Sequence, residues 1–134
     1  MPPDVAALAQ AVRYEGSIAF EIREQSADRV VAEMPVVAGI RNPFGTVHAG
    51  ALLWFADVTA TVLALQNTTV SPDGKGFPLA LNLNAQLIGN VREGVLTAQA
   101  LFVRKGRRVS VIRTTVHDSA QRLLVDVTTT HMPA

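Results

Sequence analysis

The feature that most limits how this chain can fold is an unbroken apolar run from Ala49 to Leu65 with one carboxylate, Asp57, near its middle. Asp57 is the only formal charge between Arg41 and Asp73. The run is short for a membrane span, and a carboxylate at the centre of a span is costly. It therefore reads as a buried helix, roughly 48–67, in a soluble protein with no membrane partner. It is apolar almost all round, the pattern of a helix enclosed on most sides.

The rest of the chain supplies strands to enclose it. Residues 4–14 have helical spacing with Asp4 as an N-cap, and Gly16 ends that helix. Residues 17–25 and 29–36 read as strands joined at Ala27-Asp28. Residues 37–47 hold Gly39, Pro43 and Gly45 and read as a loop, as does the polar stretch 68–76. Four β-prone runs follow, 77–88, 94–104, 108–117 and 122–131, broken at Gly89-Asn90, Lys105-Gly106 and Asp118-Ser119. Short breaks of that kind predict an antiparallel meander. Helix, two strands, long helix, four strands is an α+β order and not a doubly wound sheet. The expected architecture is one domain over 1–134, a curved antiparallel sheet wrapped around a long central helix.

Composition narrows the function classes. A chain of 134 residues can bury a core without covalent staples. The absence of cysteine excludes disulfides and thiolate chemistry and fits a reducing cytosol, so a cytoplasmic location is expected. A net charge of +1 gives no case for nucleic-acid binding. Asp4 and the lack of a long apolar run after it argue against a signal peptide. His48, His117 and His131 lack ligand-like spacing, so no metal is expected. The apolar surplus points to an oligomer that shares a core.

Buried without partners, an ionised Asp57 is strongly unfavourable. Two readings stand: a structural carboxylate bonded to backbone or reaching solvent, and a catalytic one. Thr61 lies four residues on and shares its face. It either holds a water against the carboxylate or bonds back to its own i−4 carbonyl. The segment Asn42–Gly50 leads into this helix, whose start offers unsatisfied N–H groups and the positive end of the dipole. Such a site polarises a carbonyl and stabilises an oxyanion. Ala49 and Gly50 are small enough to let a substrate reach the backbone, or serve only tight packing. His48 fits a capping role as well as a chemical one, and Asn42 fits a turn before Pro43.

Spacing adds a constraint. From Ala49 to Asp57 is about 12 Å of helix, too far for one reacting carbon to meet both in a single chain. Two antiparallel copies of the helix remove the difficulty, so a two-fold dimer with two shared sites is expected. The basic turn Arg104-Lys105-Gly106-Arg107-Arg108 either grips phosphates or forms a solvated hairpin tip. Asn82, Asn84 and Gln86 give the 77–88 strand one polar face, for a subunit contact, a pocket rim or water.

The stretch Asn42-x-x-Gly45-x-x-His48-Ala49-Gly50, with Asp57 nine residues after His48, resembles the signature of hotdog-fold thioesterases. The similarity is to the PaaI-type (phenylacetate-pathway) enzymes and to the 4-hydroxybenzoyl-CoA thioesterases that carry a helix carboxylate. With the pattern of Gly94–Pro133 it covers about residues 15–133. The resemblance implies the hotdog fold and hydrolysis of an acyl-CoA to a free acid and coenzyme A, with coenzyme A part of the substrate and no separate cofactor. It implies Asp57 as nucleophile or general base and Asn42 as the group that orients water or the thioester. It implies that the Ala49 N–H, with Gly50 beside it, polarises the carbonyl, that His48 orients the loop, and that Thr61 positions water.

On this reading Phe44 and Trp54 border the acyl group, Asn84 lies at the pocket rim, and Arg104, Lys105, Arg107 and Arg108 hold the coenzyme A phosphates. The assembly is then a homodimer with shared sites, paired into a dimer of dimers. The family commonly reads His-Gly-Gly, whereas this chain reads His48-Ala49-Gly50. Alanine keeps the N–H, but its methyl narrows the channel. Two rival readings are a hotdog enoyl-CoA hydratase or dehydratase using His48 with Asp57, and a non-catalytic acyl-CoA-binding module.

Overall fold

Alternation along the strands decides which face of the sheet carries the core. In β4 (Val95–Lys105) Leu96, Ala98 and Ala100 are buried, and Val95 and Leu101 on the other face are exposed. In β5 (Ser110–His117) Ile112, Thr114 and Val116 point inward, and in β6 (Leu123–Pro133) Val127, Thr129 and His131 do. With β1 (Glu21–Gln25), β2 (Arg29–Pro35) and β3 (Pro78–Leu87) they form one antiparallel sheet in the order β1-β2-β4-β5-β6-β3. The computed structural model describes residues 15–134, so the helix expected over 4–14 lies outside the described residues.

The inward face holds one long helix, α1 (Ala49–Leu65). Its buried positions are Ala51, Leu52, Phe55, Ala56, Thr59, Ala60, Leu63 and Ala64, a stripe of adjacent pairs recurring every fourth residue. Alanines at 32, 98 and 100 on the sheet let the helix sit close, and Met34, Leu96, Val116, Val125 and Val127 fill the space around Phe55. The result is the hotdog architecture, an α+β fold with one central helix against a six-stranded antiparallel sheet.

Two expectations need refining. Within one chain the helix is fully buried along one stripe: Trp54 is exposed, and Leu53, Asp57, Val58, Thr61, Val62 and Leu65 are half-buried. The sheet covers one stripe because a straight helix can turn only part of its surface to one layer. The last four strands are also not a continuous meander. β4, β5 and β6 are successive neighbours, but β3 crosses over and pairs with β6. The break at Gly89-Asn90 is no hairpin, because Ile88 and Gly89 donate to the Leu124 carbonyl of β6 and Asn90 is engaged elsewhere. β3 thus stands at the edge of the sheet, with Leu79, Leu81, Leu83 and Leu87 exposed.

Phe55 is fully buried at the centre of the larger core cluster, edge-on to Phe20 at 5.0 Å. Phe55→Ala is expected to cost about 3–5 kcal/mol in urea unfolding, from lost transfer energy and the cavity left behind. A loss below about 1 kcal/mol would mean that this helix face is not packed on the sheet.

Candidate active site

The segment before α1 is held by its own polar groups. Asn42 Oδ1 accepts from the N–H groups of Phe44 (2.9 Å) and Thr46 (3.2 Å), and Asn42 Nδ2 donates to Thr46 Oγ1 at 2.7 Å. This side chain therefore closes the 42–46 turn, the turn-forming role that Asn42 also fitted in the sequence. Gly45 sits at φ 87, in the left-handed region, and a Cβ there would lie 2.8 Å from Arg92 Nη1. Arg41 and Val47 form a bridge that brings the chain back beside itself.

His48 is the helix N-cap. Its Nδ1 accepts from the Ala51 N–H at 3.0 Å, and its own N–H donates to the Ile40 carbonyl at 2.8 Å. A Cβ on Gly50 would lie 3.2 Å from His48 Nδ1, so glycine there gives the capping ring its room. Ala49 and Gly50 themselves are exposed. Helix geometry leaves their N–H groups without an intrahelical acceptor, pointing out of the helix start. That start opens on a cavity of about 400 Å³ lined by Asn42, Val47, Ala49, Leu52, Leu87, Ile88, Gly89 and Asn90.

Asp57 lies two turns further along. It is half-buried, and its Oδ1 is buried with no hydrogen-bond partner among the described residues. It lines a second, mainly apolar cavity of about 350 Å³ with Val58, Thr61, Val62, Phe77, Pro78 and Leu79. Thr61 shares this cavity, and its Oγ1 lies 3.2 Å from His131 Nε2. The hydroxyl that bonds back to its i−4 carbonyl is that of Thr59, which reaches Phe55 O at 2.6 Å.

The two cavities share no residue. Both lie between α1 and β3, one beside each end of the edge strand. Within one chain the structure brings Asp57 and Thr61 together, and separately Asn42, His48, Ala49 and Gly50. Trp54 and Phe44 line neither cavity. Trp54 packs edge-on to Phe20 at 4.8 Å, and Phe44 is exposed. Asn84 is exposed on β3, paired with Thr128.

Lys105, Arg107 and Arg108 line a third cavity of about 330 Å³ near the end of α1, with Asn67, Thr68 and His131, whereas Arg104 is not part of it. Among the described residues none of these four cations has a carboxylate within 4.0 Å. Among the described residues, no three His, Cys, Asp or Glu gather as metal ligands, and no helix is long and apolar enough to cross a membrane.

Two residues that the sequence reading named only as a histidine without ligand spacing and as part of a chain break stand against the candidate site residues. One is His131, buried behind Thr61. Period-2 alternation on β6 places it inward with Val127 and Thr129, and that signal was readable. The other is Asn90, whose Oδ1 accepts from Val47 N–H at 3.1 Å while its Nδ2 donates to Val47 O at 2.7 Å. It pairs like a strand with the residue before the N-cap, across 43 positions of sequence. Arg92 adds a bond to Phe44 O, and Arg41 Nε one to Arg92 O. No sequence signal links these residues.

The sheet order and central helix define a hotdog-fold protein. A Staphylococcus aureus thioesterase structure superposes with a TM-score of 0.78 at 24% identity, covering 85% of this chain and 92% of that one. A Streptococcus pneumoniae structure described as a hypothetical thioesterase with coenzyme A superposes at 0.77 and 20% identity, covering 87% and 86%. Over residues 5–132 the chain matches, and belongs to, the family described as a domain of unknown function, DUF4442. ComA2 of Bacillus subtilis (strain 168), provisionally named an esterase, is 33% identical over 111 residues, 81% of this chain and 83% of ComA2. The 1,4-dihydroxy-2-naphthoyl-CoA hydrolase of Listeria monocytogenes is 26% identical over 108 residues, covering 81% of this chain and 85% of its own length.

The Asn90 brace is testable. Asn90→Ala leaves the N–H and carbonyl of buried Val47 unpaired and is expected to cost about 1–3 kcal/mol in urea unfolding. An unchanged unfolding midpoint would show that the brace holds nothing.

Proposed function

We propose that this chain is an acyl-CoA thioesterase of PaaI type that works as a homodimer, with Asp57 as its nucleophile or general base. The observation that carries the reading is the half-buried Asp57 carboxylate, one oxygen unpartnered, in an apolar cavity beside a free sheet edge. A carboxylate held in this way is poorly solvated and available to a water or a carbonyl carbon. The relationship to proteins named esterases and a CoA-thioester hydrolase supports the substrate class.

The free edge of β3 supports the shared site. Antiparallel pairing of two β3 strands about an axis near Leu83 sets Leu79 of one opposite Leu87 of the other. Leu79 lines the Asp57 cavity and Leu87 the helix-start cavity, so the pairing joins the two kinds of cavity across the interface. It also covers Leu79, Leu81, Leu83 and Leu87 and the half-exposed face of α1. Two such dimers pack as a tetramer, and the enzyme acts in the cytoplasm.

In the general-base form, Asp57 takes a proton from water as the water oxygen attacks the thioester carbon. The backbone N–H of Ala49 from the partner subunit, with that of Gly50 beside it, stabilises the oxyanion. The C–S bond then breaks, and the thiolate leaves and is protonated to coenzyme A. In the nucleophile form, the carboxylate itself attacks, and water cleaves the resulting anhydride. Thr61 holds the water, Asn42 shapes the entry loop, and the cations at 104, 105, 107 and 108 meet the phosphates. A hydratase built on His48 and Asp57 fits less well, because His48 spends Nδ1 on capping the Ala51 N–H.

Asp57→Asn is expected to fold and assemble normally yet lose about 100- to 10,000-fold in turnover, read as thiol release from hexanoyl-CoA and benzoyl-CoA. Wild-type turnover in that variant would remove Asp57 from the chemistry. Retention of either compound by the wild-type protein with no thiol released would favour a binding module. Sedimentation equilibrium is expected to find dimers or tetramers, and a monomer that turns over would exclude the shared site.

A further inference from the structure

Strand β6 carries a histidine into the interior where its neighbours on the same face are Thr129 and Val127. His131 is 2% exposed and pairs across the sheet with Ser110 of β5 and Ala80 of β3. Its Nε2 lies 3.2 Å from Thr61 Oγ1, and its Nδ1 is buried without a partner. Thr61 is one helical turn from Asp57 on the same face, and both line one cavity. Asp57, Thr61 and His131 therefore stand in series, from the open cavity into the core.

The charged groups that face His131 come from two elements. Asp57 is on α1, and Lys105 at the end of β4 with Arg107 and Arg108 in the β4–β5 turn line a cavity that His131 shares. β3 carries no charged residue, and Asp126 of β6 is paired with Arg113. A protonated ring would bury an Nδ1–H with no acceptor, so the neutral form is favoured. Burial lowers the His131 pKa below its ordinary 6.5, and the Asp57 charge opposes that pull. Of the two neutral tautomers, one also buries an unpaired Nδ1–H. The other places its proton on Nε2, against Thr61 Oγ1. The Thr61 hydroxyl hydrogen then has no acceptor on the histidine side and is left for a group in the cavity that Thr61 and Asp57 both line.

We propose that His131 is a positioning residue whose Nε2–H fixes the Thr61 hydroxyl, so that this hydroxyl donates to a water held beside the Asp57 carboxylate. This rests on the reading of Asp57 as the reactive carboxylate. Protonation of His131 opposes the arrangement twice, by burying a bare N–H and by setting a positive charge near the base. Its neutral form contributes stability in full above about pH 6.5, and that contribution is lost as pH falls through the lowered folded value.

The test uses His131→Asn, whose amide falls short of Thr61, and His131→Gln, whose Nε2 reaches the place of the imidazole Nε2. Thr61→Val and the Thr61→Val/His131→Asn double variant complete a cycle. Thiol release from hexanoyl-CoA and benzoyl-CoA is followed from about pH 5 to 8.5, with thermal melting alongside. His131→Asn is expected to lower kcat about 10- to 100-fold with KM changed less than about threefold. His131→Gln should restore most of kcat and extend activity to lower pH, and the double variant should be no worse than Thr61→Val.

Wild-type kcat in His131→Asn overturns the proposal, as does a double variant whose losses multiply. If His131→Asn does not fold, His131→Gln decides through its acid limb, and a limb identical to wild type overturns the proposal. Inactive Asp57→Asn beside fully active His131 variants would sink this inference alone. An active Asp57→Asn would sink the thioesterase reading beneath it.

Discussion

A helix packed on one layer of sheet can give that layer only part of its surface, and this protein is organised around what remains. The stripe from Ala51 to Ala64 is buried against alanines and branched residues of the sheet. The opposite stripe keeps Leu53, Trp54, Val58, Val62 and Leu65 only partly covered, and Asp57 lies among them. A carboxylate at the centre of the buried stripe would face the full cost of desolvation. At the margin it faces only part of that cost and still sits in an apolar cavity. The same division of the helix leaves an apolar surface beside an edge strand whose leucines are exposed, which is the physical case for a second copy.

The helix start is prepared by different means. Asn42 closes the turn, His48 caps the helix, Asn90 clamps Val47, and Arg41 and Arg92 tie the loop to the β3–β4 connection. Apart from the bond from Asn42 Nδ2 to Thr46 Oγ1, all of these bonds end on backbone. They leave the first N–H groups of α1 exposed and aimed outward, where a carbonyl oxygen can meet them. Rigid placement is what such donors need, because their value lies in requiring no reorganisation when charge develops. In the proposed enzyme, an ordered amide tip and a poorly solvated carboxylate come from different subunits.

Much of this was legible in the residues themselves. The apolar run predicted α1 to within about two residues at each end, because seventeen consecutive helix-compatible residues carry strong local signal. The strand runs emerged near their expected bounds for the same reason, although the first shortened from 17–25 to Glu21–Gln25, its earlier part running beside Gly39 with only Ser17 N–H bonded there. Asp57 stood out because a lone charge in an apolar helix is thermodynamically conspicuous. The meander expectation failed at β3, since a short break signals a change of direction and not the neighbour the chain will take. Phe44 and Trp54 were expected beside the acyl group for their apolarity, and within one chain Trp54 packs on Phe20 while Phe44 is exposed.

The sequence by itself determined the α+β class, the central helix, the capped motif loop before it and the carboxylate within it. These depend on local propensity, periodicity and the cost of burying charge, all of which act between residues close in the chain. Only the tertiary structure decided that β3 pairs with β6, that Asn90 braces Val47, and that His131 stands behind Thr61. Those pairings join residues 43 and 70 positions apart in two of the three cases. Their partners are chosen by how the sheet closes around the helix, a competition among distant segments that leaves no mark in any short stretch of sequence.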